Sequence, residues 1–374
     1  MGRFHFFIKI VLSWKSDIIL SMITKVMDVS ETPIKKEFIE EAAKILKQGG
    51  LVAFPTETVY GLGGDATDKE ASKKIYSAKG RPSDNPLIVH IAEFSQLEQI
   101  ASDLPQNAKK LAEAFWPGPL TMVVKKNEVI PYETTGGLDT VAVRMPSHPV
   151  ALELIKQSGC MIAAPSANTS GRPSPTKASH VYEDLSGKIE AILDGGEVDI
   201  GLESTIVDLT EDVVTILRPG FINKAMLEAV VGEVTIDPGI VFNDKGTTSG
   251  AKPKAPGMRY KHYAPKGDLT IVSGSEEAVI SAINSFAKEA IAQGKKVGVI
   301  ATDDTKDKYL LGDVLVIGNR ADEKTIAHNL YDILRQFDEL DVDVIYSESF
   351  ATEKIGQAIM NRLLKAAGQK TIEV

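Results

Sequence analysis

The chain has 374 residues, too many for one ordinary hydrophobic core, so two domains are expected. Hydrophobic residues make up 43% and charged residues 25%, the composition of a soluble globular protein. A formal net charge of −9 excludes a protein that grips duplex nucleic acid by neutralising its phosphates wholesale, and a single cysteine, Cys160, excludes both a disulfide scaffold and a cysteine-ligated zinc.

At the amino terminus, Phe4 to Ile23 is apolar but broken by Lys9, Lys15 and Asp17, and its longest uncharged run is too short to span a bilayer. No small-residue cleavage site follows it. Residues 1–32 are therefore expected to form a poorly ordered extension outside the fold, with Met22 and Met27 as candidate starts. Thr32-Pro33 then predicts a helix N-cap with proline at the first helical position. Phe38, Ile39, Ala42, Ala43, Ile45 and Leu46 recur at helical spacing until Gly49-Gly50 stop the helix. Short apolar runs at 51–54, 87–91, 120–124, 141–143, 161–164, 205–207 and 213–217 predict strands, several of them separated by helical patterns at 68–78, 106–115 and 149–157. Residues 33–234 thus predict an α/β domain.

Three polar turns interrupt these runs. Pro55 to Gly64 packs hydroxyl, carboxylate and aromatic groups into a glycine-ended turn directly after a strand, where open α/β sheets bind ligands. In Lys79-Gly80-Arg81 a guanidinium stands beside an ammonium, a pairing that suits a triphosphate and the charge growing on departing pyrophosphate. Taken alone, it reads better as a solvated basic loop than as a phosphate site, and His90 reads better as a satisfied core histidine than as a ligand. Ala163 to Ser174 leaves another strand with small side chains that permit close backbone approach, while Ser166, Asn168 and Ser174 offer hydrogen bonds to phosphate or ribose.

From 245 to 267 the composition changes to six Lys or Arg, no acidic residue and several Gly and Pro. This stretch predicts an ordered linker whose basic charge, in a negative protein, suits a lid over a polyanionic ligand. Strands at 269–272, 296–300, 314–317 and 344–346, with helices at 276–293, 323–340 and 353–367, then predict a small doubly wound sheet. It carries neither a dinucleotide nor a P-loop fingerprint. A chain lacking residues 268–374 is accordingly expected to keep substantial activity.

Together, Pro55-Thr56-Glu57-Thr58-Val59-Tyr60-Gly61-Leu62-Gly63, Lys79-Gly80-Arg81-Pro82 with Asn85-Pro86-Leu87-Ile88-Val89-His90, Ala164-Pro165-Ser166-Ala167-Asn168 with Ser170-Gly171, and Leu217-Arg218-Pro219-Gly220 form an ordered set. In that order and at those separations they closely resemble the L-threonylcarbamoyladenylate synthase (YrdC-like) family. The run from Ala255 to Pro265 and the unit after it resemble that family's long form, so the likeness covers about residues 33–374.

The resemblance implies a fold and a site. The fold is α/β: a YrdC-like catalytic domain on a twisted mixed sheet (33–234), a linker or lid (235–267) and a smaller Rossmann-like doubly wound domain (268–374). Lys79 and Arg81 are implied as catalytic, binding ATP with Ser166 and Asn168. Asn85, Thr140, Ser174, Arg218 and Tyr263 would complete the ATP site, although Tyr260 is an alternative to Tyr263. Thr58, His90, Arg144, Ala164 and Ser204 would line a threonine pocket, with Arg144 the partner for a carboxylate.

The implied reaction joins L-threonine, bicarbonate and ATP into threonylcarbamoyl-AMP and pyrophosphate. The product would pass to a tRNA threonylcarbamoyl-transferase that makes N6-threonylcarbamoyladenosine. Magnesium is expected on the ATP phosphates, with no protein metal site. A cytoplasmic location, no membrane association and little or no direct tRNA binding are expected. Two other classes fit parts of the sequence. An RNA-binding module for translation or ribosome maturation would use the basic strip from Lys252 to Lys266, with Tyr260 and Tyr263 for stacking. A generic amino-acid adenylating enzyme would ignore bicarbonate.

Overall fold

A computed structural model describes residues 22–240 and 262–374. The chain opens with β1 (Lys25–Asp28), α1 (Lys36–Lys47), β2 (Val52–Phe54), β3 (Gly61–Asp65), α2 (Lys69–Lys79) and β4 (Ile88–His90). There follow α3 (Phe94–Ile100), α4 (Gln106–Phe115), β5 (Leu120–Lys125), α5 (Tyr132–Thr135), β6 (Thr140–Arg144), α6 (Pro149–Ser158) and β7 (Ile162–Ala163). The first unit closes with α7 (Ala178–Leu185), β8 (Ala191–Asp194), β9 (Thr205–Asp208), β10 (Val214–Arg218), α8 (Lys224–Val231) and β11 (Val234–Ile236). These strands form one 11-stranded mixed sheet in the order β1-β8-β2-β3-β7-β4-β6-β5-β9-β10-β11.

The second unit runs β12 (Asp268–Ser273), α9 (Glu276–Ala292), β13 (Val297–Ala301), β14 (Asp313–Val316), α10 (Glu323–Glu339), β15 (Val344–Glu348), α11 (Gly356–Ala366) and β16 (Thr371–Glu373). Its five strands are all parallel, in the order β14-β13-β15-β12-β16. Parallel strands joined by helices make this a doubly wound, Rossmann-like sheet.

Several boundaries differ from the sequence reading. Residues 25–28, expected outside the fold, pair in parallel with β8 and extend the sheet, and Met27 is 1% exposed. Helix α1 starts at Lys36 rather than after Thr32-Pro33, because the chain bends over residues 31–33 as it leaves β1. The proline serves that corner. Gly61-Leu62-Gly63-Gly64, expected as the end of a turn, is strand β3, antiparallel to β2. Glycine has little intrinsic preference for strands. Here it answers to space: a Cβ on Gly63 would come within 2.7 Å of Ile162 Cγ2 and 2.8 Å of the Phe54 ring. Most of the expected linker, including Tyr260, lies outside the described residues.

The two units share apolar core. Val59, Leu202 and Tyr263 pack in one buried cluster with Leu330, Tyr331, Leu334, Ile359 and Leu363 of α10 and α11. The second unit therefore closes against the loops that carry the polar motifs.

Candidate active site

A cleft of about 720 Å³ lies over the middle of the large sheet. Along β4, residues two apart face the same way, which puts Ile88 and His90 together in the lining. His90 pairs in register with Arg144 of β6, and Arg144 with Thr121 of β5, so the three form one row across the sheet. The Thr121 hydroxyl meets Ser204 Oγ at 2.7 Å, carrying the row to the turn before β9.

Arg144 is 4% exposed, and its Nη1 donates to Thr58 Oγ1 at 2.8 Å. Glu57 Oε1 lies 2.8 Å from Nη2 in a buried ion pair, and with Nε on the Gly118 carbonyl and Nη1 on Thr58 the five-donor guanidinium still has N–H groups to spare. Burial works against the Glu57 carboxylate, yet the Arg144 charge holds it below the usual range. Burial and the Arg144 charge lower His90 to about 3, and its Nδ1 sits 3.2 Å from the Ile88 carbonyl. A carbonyl can only accept, so His90 is a neutral ring with its proton on Nδ1. Ala164 continues β7, with its N–H on the Ile88 carbonyl at 2.8 Å. Ser204, Thr58, His90, Arg144 and Ala164 therefore share one end of the cleft.

The other end is built from loops. Helix α2 ends at Gly80, whose left-handed φ of 61° turns the chain so that Lys79 and Arg81 leave on either side of the cap. Lys79 Nζ donates to the backbone carbonyls of Ser166 and Asn168, tying α2 to the loop after β7. Burial and neighbouring Arg81 push its ammonium well below the lysine range. Arg81 Nε and Nη2 donate to the carbonyls of Asn85 and Pro86 at 3.2 and 3.1 Å. Ser166 Oγ donates to Asn168 Oδ1, and Asn168 Nδ2 donates to Thr169 and Arg172 carbonyls at 2.8 and 2.9 Å. Ser174 Oγ donates to Glu203 Oε1 at 2.6 Å. Arg218, at the end of β10, donates to Ser204 O at 3.1 Å and Ser204 Oγ at 3.2 Å.

Twelve of the fourteen residues expected at the site line this one cleft. Asn85 and Thr140 do not. Asn85 is buried beside Arg81, with its Oδ1 lacking a hydrogen bond among the described residues. Thr140 sits at the far end of β6 from Arg144, opposite Lys125. Tyr263 closes the cleft from the second unit's side. It is 5% exposed, has a φ of 65° and stacks on Tyr331 with ring centroids 5.1 Å apart. The next residue, Ala264, donates to the Gly171 carbonyl at 2.9 Å.

Residues 44–220 match the Sua5/YciO/YrdC family model, described as telomere recombination, and residues 222–368 match that of the threonylcarbamoyl-AMP synthase C-terminal domain. The chain is 50% identical over 344 residues to threonylcarbamoyl-AMP synthase of Pyrococcus abyssi (strain GE5 / Orsay), spanning 91% of this chain and 98% of that one. It is also 50% identical over 335 residues to the enzyme of that name from Bacillus subtilis (strain 168), spanning 89% and 94%. The chain belongs to the threonylcarbamoyl-AMP synthase family. Its fold matches the crystal structure of P. abyssi Sua5 complexed with L-threonine at a TM-score of 0.87 and 48% identity, covering 94% of this chain and 100% of that one.

For a threonylcarbamoyl-AMP synthase, sequence reasoning left out some of the groups that shape the cleft. Thr56, Arg172 and Glu203 line it, and Glu57 stands behind Arg144. Glu57 belongs to the first polar turn, and Arg172 to the Ser-Gly-Arg-Pro run. Glu203 carried no local signal, because its partners Tyr331 and Arg362 lie 128 and 159 residues further along the chain.

Proposed function

We propose that one end of the cleft takes L-threonine and the other the phosphates of ATP, so that a threonine carbamate attacks the α-phosphorus and pyrophosphate leaves. As a family member the chain is an adenylyl-transferring enzyme that makes threonylcarbamoyl-AMP for tRNA modification. The observation that carries the residue assignment is the polarity of the cleft. Arg144 has buried donors to spare for a carboxylate beside a neutral imidazole, while Lys79, Arg81 and the Ser166, Asn168 and Ser174 side chains line the rest of the cleft and Arg218 joins the two groups through Ser204.

The substrate amine must lose its proton before it can take up carbon dioxide as a carbamate, and a neutral His90 adds no positive charge against that step. The carbamate oxygen then forms a bond to the α-phosphorus as the bond to the leaving pyrophosphate breaks. No side-chain nucleophile enters. Arg81 and Arg218, with Ser166, Asn168 and Ser174, would position the phosphates and stabilise charge on the leaving group. Lys79 would hold the Ser166–Asn168 loop in place. Thr58 and Ser204 would meet the threonine end, and Tyr263 would cover the nucleotide.

Magnesium fits this site only as an ion that arrives with ATP. Among the described residues no group of three His, Cys, Asp or Glu could hold a metal. The carboxylate that lines the cleft, Glu203, already accepts bonds on both oxygens. Phosphate and water oxygens would therefore hold the ion, which supplies charge neutralisation to the departing pyrophosphate.

The product is a reactive mixed anhydride, so an enzyme that transfers the threonylcarbamoyl group to adenosine in tRNA is the class that must receive it. A cytoplasmic setting is proposed with it. The RNA-binding alternative draws no support from relatives that span nearly the whole chain and are named for catalysis. The test is mass spectrometry of the product from ATP, threonine and isotope-labelled bicarbonate. Labelled threonylcarbamoyl-AMP is expected. Unlabelled threonyl adenylate, or AMP alone, would overturn the proposal.

A further inference from the structure

The carboxylate of Glu203 joins the two halves of the protein at the floor of the cleft. Its Oε1 accepts the Ser174 hydroxyl at 2.6 Å. Its Oε2 accepts Tyr331 OH at 2.8 Å from α10 and Arg362 Nε at 3.1 Å from α11. Arg362 is fully buried, and its Nη1 also donates to the Pro219 carbonyl at 2.6 Å, directly after Arg218. One guanidinium from the second unit thus grips both the turn before β9 and the turn after β10.

We propose that Arg362 and Tyr331 are positioning residues for the nucleotide half of the site: by holding Glu203 they fix the Ser174 hydroxyl and keep the Glu203 charge from drawing Arg218 away from the phosphates. The second domain then completes the site rather than standing behind it. This rests on the reading of that half of the cleft as an ATP site.

The charges support the geometry. Burial works against an ionised Glu203, but Arg362 first and Arg218 second hold it down at about 2. With Arg362 removed, Arg218 becomes the remaining strong attraction for a buried anion. Glu203 would then compete with the phosphates for the guanidinium that is to bind them. Tyr331 supplies one neutral hydrogen bond, so its loss weakens the arrangement without reversing it. The same helix holds a second anchor of this kind. Arg335 of α10 donates to the Pro173 carbonyl at 2.7 Å and to Asp184 at 2.9 Å, and Asp184 in turn accepts the Thr169 N–H at 3.0 Å.

The experiment is steady-state pyrophosphate release by the full chain, with the KM for ATP and for threonine measured separately. Arg362→Met is expected to raise the KM for ATP about tenfold or more and to leave that for threonine within about twofold. Arg362→Lys should recover part of the loss, and Tyr331→Phe should raise the ATP KM only about two- to fivefold. A folded Arg362→Met protein with an unchanged ATP KM, or with both substrates weakened alike, would overturn the proposal. Should Arg362→Met fail to fold, Tyr331→Phe and Glu203→Gln decide: unchanged ATP KM in both also overturns it. A wild-type chain that releases no pyrophosphate from ATP would sink the nucleotide assignment itself. Turnover by the wild type with Arg362→Met indifferent sinks only this inference.

Discussion

Arg81 is half-buried in the cleft lining, and two backbone carbonyls hold its guanidinium where the phosphates are proposed to bind. A held donor of this kind meets a developing charge without reorganising, which is typically worth about a hundredfold or more in rate. Arg81→Ala should therefore slow pyrophosphate release by about that factor. Near-normal turnover in the folded variant would remove Arg81 from the mechanism. His90 makes a prediction about pH. Its native ring resists protonation down to about 3, whereas an unfolded histidine takes a proton near its ordinary value. Between these limits the unfolded state binds more protons, so this residue makes stability rise with pH and fall as acid is added. His90→Gln should remove up to about 1.4 kcal/mol per pH unit from that slope between about pH 4 and 6. Parallel pH–stability curves for the two proteins would contradict the buried, neutral assignment. Much of the site was legible at this scale. Lys79, Arg81, Ser166, Asn168 and Arg218 sit in short motifs that each read alone as an ordinary loop and become legible only through their shared order and separations. Glu203 and Arg362 do not, because a lone Glu and a lone helical Arg are ordinary surface residues until 159 positions of intervening chain are folded away.

At the scale of elements, legibility followed the source of each element's stability. Helix α1 buries Ile39, Ala42, Ala43 and Leu46 on one face, and that spacing is written in the sequence. All four strands expected in the second domain are present: β13 is buried along its whole length and reads as a continuous apolar run, while β12, β14 and β15 are only part-buried but carry enough Val, Ile and Leu to read as strands. Strand β3 was not expected, whereas β7 falls inside the apolar run read as a strand at 161–164. The first is three-fifths glycine and exists because Phe54 and Ile162 leave room for nothing larger. The second is two residues long and is held by β3 and β4 on either side. Likewise β1 and β16 are edge strands whose partners, not their composition, make them strands. The lid expected at 235–267 is described only at its two ends. Its last residues are anchored, with Ala264 on the Gly171 carbonyl and the Lys266 N–H on Asp338 at 2.6 Å. That pair of contacts touches both domains.

For the molecule as a whole, the expectation that residues 268–374 could be removed with activity largely kept does not fit the interface. Cutting there would strip Arg362 from Glu203 and Arg335 from Asp184, all of them buried. Breaking a buried pair by removing one partner costs about 3–5 kcal/mol, a large share of the stability of an ordinary domain. The two domains should therefore unfold together. Both tryptophans, Trp14 and Trp116, precede the second domain, so fluorescence follows the first half of the chain while far-UV circular dichroism follows all of it. In urea the two signals should give coincident midpoints, and two separated transitions would contradict the coupling. The Glu203–Arg362 pair also limits how such proteins can be taken apart by evolution or by engineering. A single-domain version of this enzyme would inherit an anion at position 203 with its cation gone. It would need a neutral residue there, or a new positive charge from elsewhere in the first domain. Grafting the second domain onto a chain already neutral at 203 would bury Arg362 without an anion. The halves are thus a charge-matched set, and recombination between them must preserve Glu203 with Arg362 as well as Asp184 with Arg335.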